Sequence, residues 1–191
     1  MKYMYNEMSD LEMAVRSCDK CPLAKTRHHT VFGAGNIHAD VMFIGEGPGY
    51  DEDRTGKPFV GKAGKLLDEI FEEVGIDRSA VYIGNIIKCR PPENRNPNEG
   101  EMEACLDYLR NQVMLIKPKI IVLLGSVALK RILGKEYFIT KSRGKWVEMK
   151  GIMYMPTFHP AAVLRDDTKL APFIADLAMV KREMDKITED K

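Results

Sequence analysis

The amino-acid sequence predicts an α/β protein whose sheet is parallel and covered by helices on both faces. Three observations carry that expectation. Residues 41–45, 81–87, 120–124 and 152–155 are apolar almost throughout rather than alternating, the pattern of strands buried on both sides. Segments of helical period fall between them, so strand and helix alternate along the chain. Each apolar run gives way to chain bearing Gly or Pro, where a strand breaks into a loop.

At 191 residues the chain suits a single domain, expected to span residues 1–191. Its 29 basic and 28 acidic residues leave a net charge of +1, which excludes a generally basic nucleic-acid coat but not a local positive face. No apolar run is long enough to cross a bilayer, and the first residues lack the apolar core of a signal peptide. A soluble, cytoplasmic protein with no membrane partner is therefore expected. In that compartment the four cysteines are metal ligands or reactive thiols rather than disulfides.

Taken in order, Met4, Met8, Leu11 and Val15 recur at helical spacing and predict an amphipathic helix over residues 6–17. Cys18-Asp19-Lys20-Cys21-Pro22 follows it. A thioredoxin-type pair would open a helix after a strand, where the helix N-terminus lowers a thiol pKa; this pair closes one, which favours metal binding over redox chemistry. Residues 30–36, with Gly33 and Gly35, read as a loop.

The run 41–45 breaks into Gly45-Glu46-Gly47-Pro48-Gly49, then an acidic turn, then Thr55-Gly56-Lys57-Pro58-Phe59. Glycines there let backbone N–H groups approach a ligand, and ligands of open α/β sheets sit at the carboxyl ends of the strands. The same residues also suit an ordinary connection, and the loop is neither a Walker loop nor GxGxxG. A helix over 65–74 follows, with Gly75 as its C-cap.

Asn85, inside the second apolar run, is either a core amide satisfied by backbone or a ligand-reading amide one strand from the Gly-rich loop. Residues 88–97 cannot be regular structure, and Asn98 with Glu101 makes a capping-box start for the next helix. Its apolar stripe is Met102, Cys105, Leu106, Leu109, Val113 and Ile116, on which Cys105 alone would be an ordinary small hydrophobe. A short helix over 127–133 follows the third strand, and residues 140–145 form a basic, flexible loop. His159 sits among turn-forming residues after the fourth strand, and Phe173, Leu177, Val180, Met184 and Ile187 share one face of a final helix. No internal repeat or linker interrupts the chain.

Taken together, Cys18-x-x-Cys21, Gly45-Glu46-Gly47-Pro48-Gly49, Thr55-Gly56-x-Pro58-Phe59-Val60-Gly61, Asn85 before Lys88-Cys89-Arg90-Pro91-Pro92, Cys105, and His159-Pro160-Ala161-Ala162 resemble one family. It is the iron–sulfur uracil-DNA glycosylases, family 4 of their superfamily, matched in order from about Cys18 to Arg165. The resemblance implies a three-layer α/β/α sandwich with a four-stranded, mainly parallel sheet. It implies that Cys18, Cys21, Cys89 and Cys105 hold a [4Fe–4S] cluster; four thiols by themselves leave a zinc site open. It implies a hydrolase that flips deoxyuridine from DNA, breaks the N-glycosidic bond and leaves an abasic site, the first step of base excision repair.

In this resemblance Gly45, Glu46, Gly47, Phe59, Asn85 and His159 bind uracil, and His159, Glu46 and Asn85 are the catalytic candidates. Phe59 stacks on the base, Asn85 pairs with O4 and N3–H, and His159 donates to O2 as negative charge develops. In the best-known relatives an Asp of the first motif positions the attacking water. Aligned on the Pro, that Asp falls at Gly47, so a simple general-base role does not carry over to Glu46. Glu46 either lines the pocket through its backbone or orients water from a shifted position, with a secondary share in catalysis. The Tyr that excludes thymine in related families has Gly49 at or near its place. Arg165 stands near the relatives' wedge. Lys88, Arg90 and Arg143 are assigned to DNA contact, with Lys57, Lys62, Arg95 and Lys145 as further phosphate candidates. The partner implied is uracil-containing DNA, met by a monomer; no replication-clamp partner is readable in the sequence. Broader-specificity family 5 relatives lack the polar residue that Glu46 supplies, which favours the uracil-specific branch over them, over a non-catalytic nucleic-acid module and over a thiol redox protein.

Overall fold

Alternate residues of the central strands feed two separate cores. In the computed structural model, which describes residues 5–189, β2 (Val41–Gly45) and β4 (Ile120–Leu124) lie side by side in parallel. Met42, Ile44, Ile121 and Leu123 point to one face, where Leu11, Val15, Leu106, Leu109 and Leu129 meet them. Val41, Phe43, Ile120, Val122 and Leu124 point to the other, against Leu67, Ile70, Phe71, Phe173, Leu177 and Val180. Both strands are buried at every position, so the uniformly apolar composition follows from helices on both sides.

The helices that cover the first face are α1 (Met8–Arg16), α4 (Glu99–Ile116) and α5 (Ser126–Ile132). Those on the second are α3 (Lys62–Val74) and α8 (Leu170–Glu189). Their local signals are the expected ones: Asn98 and Glu101 form a reciprocal capping box at the start of α4, and Gly75, at φ 78°, ends α3. Met4, assigned to the face of the first helix, lies outside the described residues. Three further short α-helices lie among the described residues: α2 (Tyr50–Thr55), α6 (Ile139–Ser142) and α7 (Pro160–Val163). The first of these corrects the expected acidic turn, and the second occupies part of the expected basic loop.

The sheet order is β1-β3-β2-β4-β6-β5, with β3 (Tyr82–Asn85) and β6 (Ile152–Thr157) parallel to their inner neighbours. These four are the strands expected from the apolar runs. Two short antiparallel edges, β1 (Ala34–Gly35) and β5 (Val147–Met149), raise the count to six. Neither is long enough to show a period in the sequence, and β5 arises because Lys150 and Gly151, both at positive φ, turn the chain into a hairpin with β6. The result is a three-layer α/β/α sandwich. Its four parallel strands end at one edge, and the loops that follow them build the site.

Candidate active site

The carboxyl ends of the parallel strands open into a cavity of about 560 Å³. Its walls come from the loop after β2 (Glu46, Gly47, Pro48), the end of β3 (Asn85), the Gly125 turn after β4 and the loop after β6 (Phe158, His159). Gly45 and Asn85 are register partners on adjacent strands, so the Gly-rich loop and the Asn are fixed side by side by sheet hydrogen bonding. Gly45 must be glycine: a Cβ there would stand 2.5 Å from Asn85 Oδ1 and 2.7 Å from the Phe59 ring. Asn85 is 1% exposed, and its Oδ1 is buried with no hydrogen-bond partner among the described residues. A buried amide oxygen left unpaired costs about 1–3 kcal/mol, so its position at the cavity wall marks it as an acceptor awaiting a donor.

Phe59 is held at φ 52°, a left-handed conformation that costs a bulky residue about 1–3 kcal/mol. Two charged side chains impose it. Arg78 donates through Nη2 to the carbonyls of Pro58 (2.9 Å) and Phe59 (3.3 Å). On the other side, Glu52 accepts through Oε1 from the N–H groups of Val60 (2.9 Å) and Gly61 (2.8 Å), and through Oε2 from Gly49 (3.1 Å). One carboxylate thus ties the Gly-rich loop to the Phe59 loop. Neither Glu52 nor Arg78 is a site candidate from sequence; the signal for Glu52 is its place three residues after Gly49, as in half a capping box.

His159 stands 5.7 Å from Phe59, centroid to centroid. It is the N-cap of α7, and its Nδ1 accepts from Ala161 N–H at 3.1 Å. The ring proton is therefore on Nε2, which makes that atom a donor. Burial, with help from the charge of Arg165, lowers the His159 pKa to about 4, so the ring is neutral at physiological pH. Gly125, at φ 92°, leaves room for it, since a Cβ there would lie 2.9 Å from His159 Cβ. Burial raises the Glu46 carboxyl above its ordinary range while Arg165 opposes the rise. Arg165 is exposed at the cavity wall, beside Leu164, which is 49% exposed.

Gly45, Glu46, Gly47, Phe59, Asn85 and His159 are thus brought together. The expected DNA contacts divide. Arg165 lines the cavity, and Arg90 lies over the ring of the exposed Tyr50, 5.1 Å from its centroid, with Nε on Asn94 of the cavity wall. Lys88 is a correction: it is 1% exposed, with its amine held inside the protein, and cannot meet a phosphate. Arg143 is a second, because its guanidinium is engaged by Asp176 and the Pro172 carbonyl, and Asp176 is itself buried and bonded to Thr157. Tyr50, next to the Gly49 position of the expected thymine screen, is exposed outside the cavity wall.

The four cysteines border a second, small cavity beside α1 and α4, together with Arg27, Lys88 and Tyr108. None of the four is in a disulfide. Among the described residues no group of three or more His, Cys, Asp or Glu side chains is gathered as for a single metal ion. Burial pushes the Cys105 thiol up to about 11, with Lys88 opposing, and also raises Cys89, with Arg27 opposing. Arg27 Nη1 donates to Cys89 Sγ at 3.4 Å, and Lys88 N–H to Cys105 Sγ at 3.3 Å. Four soft sulfurs around one gap, with N–H donors aimed at two of them, fit a thiolate-bound centre.

Comparison with known proteins agrees with this geometry. The chain matches the model of the uracil DNA glycosylase superfamily over residues 32–182. It is 47% identical over 154 residues to a type-4 uracil-DNA glycosylase of Thermotoga maritima, covering 80% of each chain. It is 41% identical over 184 residues to a type-4 uracil-DNA glycosylase of Pyrobaculum aerophilum, covering 91% of this chain and 92% of the relative. A type-5 uracil-DNA glycosylase of the same organism is 30% identical over 145 residues, 66% of this chain and 63% of that one. With its motifs on one cavity and this likeness along most of its length, the chain belongs to the uracil DNA glycosylase superfamily, in the type-4 family.

Proposed function

We infer that the protein excises uracil from DNA, hydrolysing the N-glycosidic bond of deoxyuridine to begin base excision repair. The observation that carries this reading is the pairing of an unsatisfied Asn85 Oδ1 with a neutral His159 in one cavity. Uracil flipped out of the stack offers N3–H to that oxygen. Cytosine has an acceptor at the same place, so it would leave the oxygen unpaired and be rejected. Phe59, fixed at its strained backbone by Glu52 and Arg78, stacks on the base. His159 donates from Nε2 to O2 and holds the negative charge that collects there as the base departs. A fixed donor of this kind is worth about 3 kcal/mol at the transition state. Glu46, half-buried at the same wall, orients water in a secondary role, and Arg165, on the cavity wall, fills the gap that the flipped base leaves.

Cys18, Cys21, Cys89 and Cys105 are assigned to a [4Fe–4S] cluster, supported by their shared cavity and by type-4 membership. Coordination would hold the sulfurs as thiolates against the effect of burial. There the cluster ties α1 to the loop and helix bearing Cys89 and Cys105. The protein acts as a monomer of one domain over residues 1–191, working on uracil-containing DNA in the cytoplasm at the nucleoid; a replication-clamp contact is not part of this assignment. No helix among the described residues is long and apolar enough to cross a membrane. The test is alkaline cleavage of a labelled oligonucleotide carrying one uracil, with cytosine and thymine controls. Scission at uracil alone is expected. Scission at none, with metal bound to the thiols, would leave a nucleic-acid-binding module instead.

A further inference from the structure

The cysteine corner and the uracil cavity share one side chain. Lys88 follows Asn85 by three residues, immediately precedes Cys89, and is 1% exposed. Its Nζ donates to Asn85 O at 3.0 Å and to Gln112 Oε1 at 2.6 Å, while its own backbone N–H donates to Cys105 Sγ at 3.3 Å. Gln112 is locked in turn, since its Nε2 donates to Phe32 O (2.8 Å) and to the Tyr82 hydroxyl (3.0 Å), leaving Oε1 aimed at the amine.

Both acceptors are neutral, a backbone carbonyl and a side-chain amide, and among the described residues no ion pair to this amine is present. A buried ammonium without a counter-charge is expensive. The groups able to supply negative charge are the sulfurs of Cys89 and Cys105, which border the same small cavity as Lys88. Four thiolates on a cluster core of formal charge +2 leave a net charge of about −2, enough to balance a buried cation.

We propose that Lys88 is the internal counter-ion of the four-cysteine centre and the strut through which that centre holds Asn85 in its uracil-reading position. This rests on the iron–sulfur reading above. Lys88 lies outside the wall of the uracil cavity, so it is a positioning residue. Removing its charge makes the centre more negative and harder to reduce; removing its hydrogen bond frees the carbonyl of Asn85.

The test uses the iron-loaded protein and its Lys88→Met variant, which keeps the apolar stem and loses the charge. Three changes are expected together: a midpoint potential shifted to more negative values, faster bleaching of the cluster under chelator, and a reduced preference for uracil over cytosine. The potential is the decisive readout, because a packing defect alone does not shift it in a set direction. Should Lys88→Met fail to fold, Gln112→Glu places a carboxylate against the same amine, and the same negative shift is expected. A potential unchanged in the folded variant overturns the proposal. Iron-free wild-type protein would instead overturn the cluster reading on which it stands.

Discussion

The uracil cavity and the cysteine corner are both buried and polar, yet they reach completeness in opposite ways. The cavity is finished by the protein. Its Asn, Phe and His are held by backbone register, by Glu52 and Arg78, and by the N–H of Ala161, with Asn85 Oδ1 left unpaired at its wall among the described residues. The corner is built of sulfurs. It gathers thiols from three separate segments, with the Arg27 guanidinium donating to Cys89 Sγ and the Lys88 backbone N–H to Cys105 Sγ, two thiols that burial pushes up. A pre-organised cavity needs little rearrangement for catalysis, whereas on the iron–sulfur reading the corner draws its stability from the group it would hold. Changes in the cavity should therefore cost rate and spare stability, and changes in the corner should do the reverse.

The largest effect expected is on rate. His159→Ala removes the donor to O2 and should slow single-turnover excision by about 10²–10³-fold, with the melting temperature nearly unchanged. Gly45→Ala comes next, because its Cβ would displace both Asn85 Oδ1 and the Phe59 ring. A misplacement near 1 Å costs on the order of 10² in rate, readable in the same assay. Cys105→Ser inverts the pattern. It should release iron and lower the melting temperature by roughly 10 °C, equivalent to about 3 kcal/mol, while excision by protein still folded at low temperature falls less than in either cavity variant.

Two further effects lie in pH. With a folded pKa of about 4 against an unfolded value near 6.5, neutral His159 resists a proton that the unfolded chain accepts. Its contribution should lower stability progressively as pH falls from about 6.5 to about 4, and His159→Asn should flatten that part of the curve. The Glu46 carboxyl, raised by burial, predicts an acid limb in the excision rate above the ordinary carboxylate range, changed only a few-fold in height and removed by Glu46→Gln.

Local features were legible because their causes are local. The four buried strands, the Asn98–Glu101 capping box and the Gly75 cap each depend on residues within a turn or two. Glu46, Gly47, Phe59, Asn85 and His159, all on the cavity wall, were legible through their motifs. Lys88 was not, because its burial depends on Gln112, 24 residues away across the first core. Arg143 sits in a basic stretch that reads as a phosphate loop until α8 brings Asp176 against it. Glu52 looked like one acid of an exposed run, and only the return of the chain at Val60 and Gly61 gives it partners. The edge strands β1 and β5 escaped for a simpler reason: two and three residues carry no period.

The central claim is that base departure is driven by a neutral, fixed His159 opposite an Asn85 that reads the base. Single-turnover excision from a uracil-containing oligonucleotide by wild type, His159→Ala and Glu46→Gln tests it most directly. The account predicts that His159→Ala loses about 10²–10³ in rate and that Glu46→Gln loses far less. Glu46→Gln abolishing excision while His159→Ala stays near wild type would contradict it.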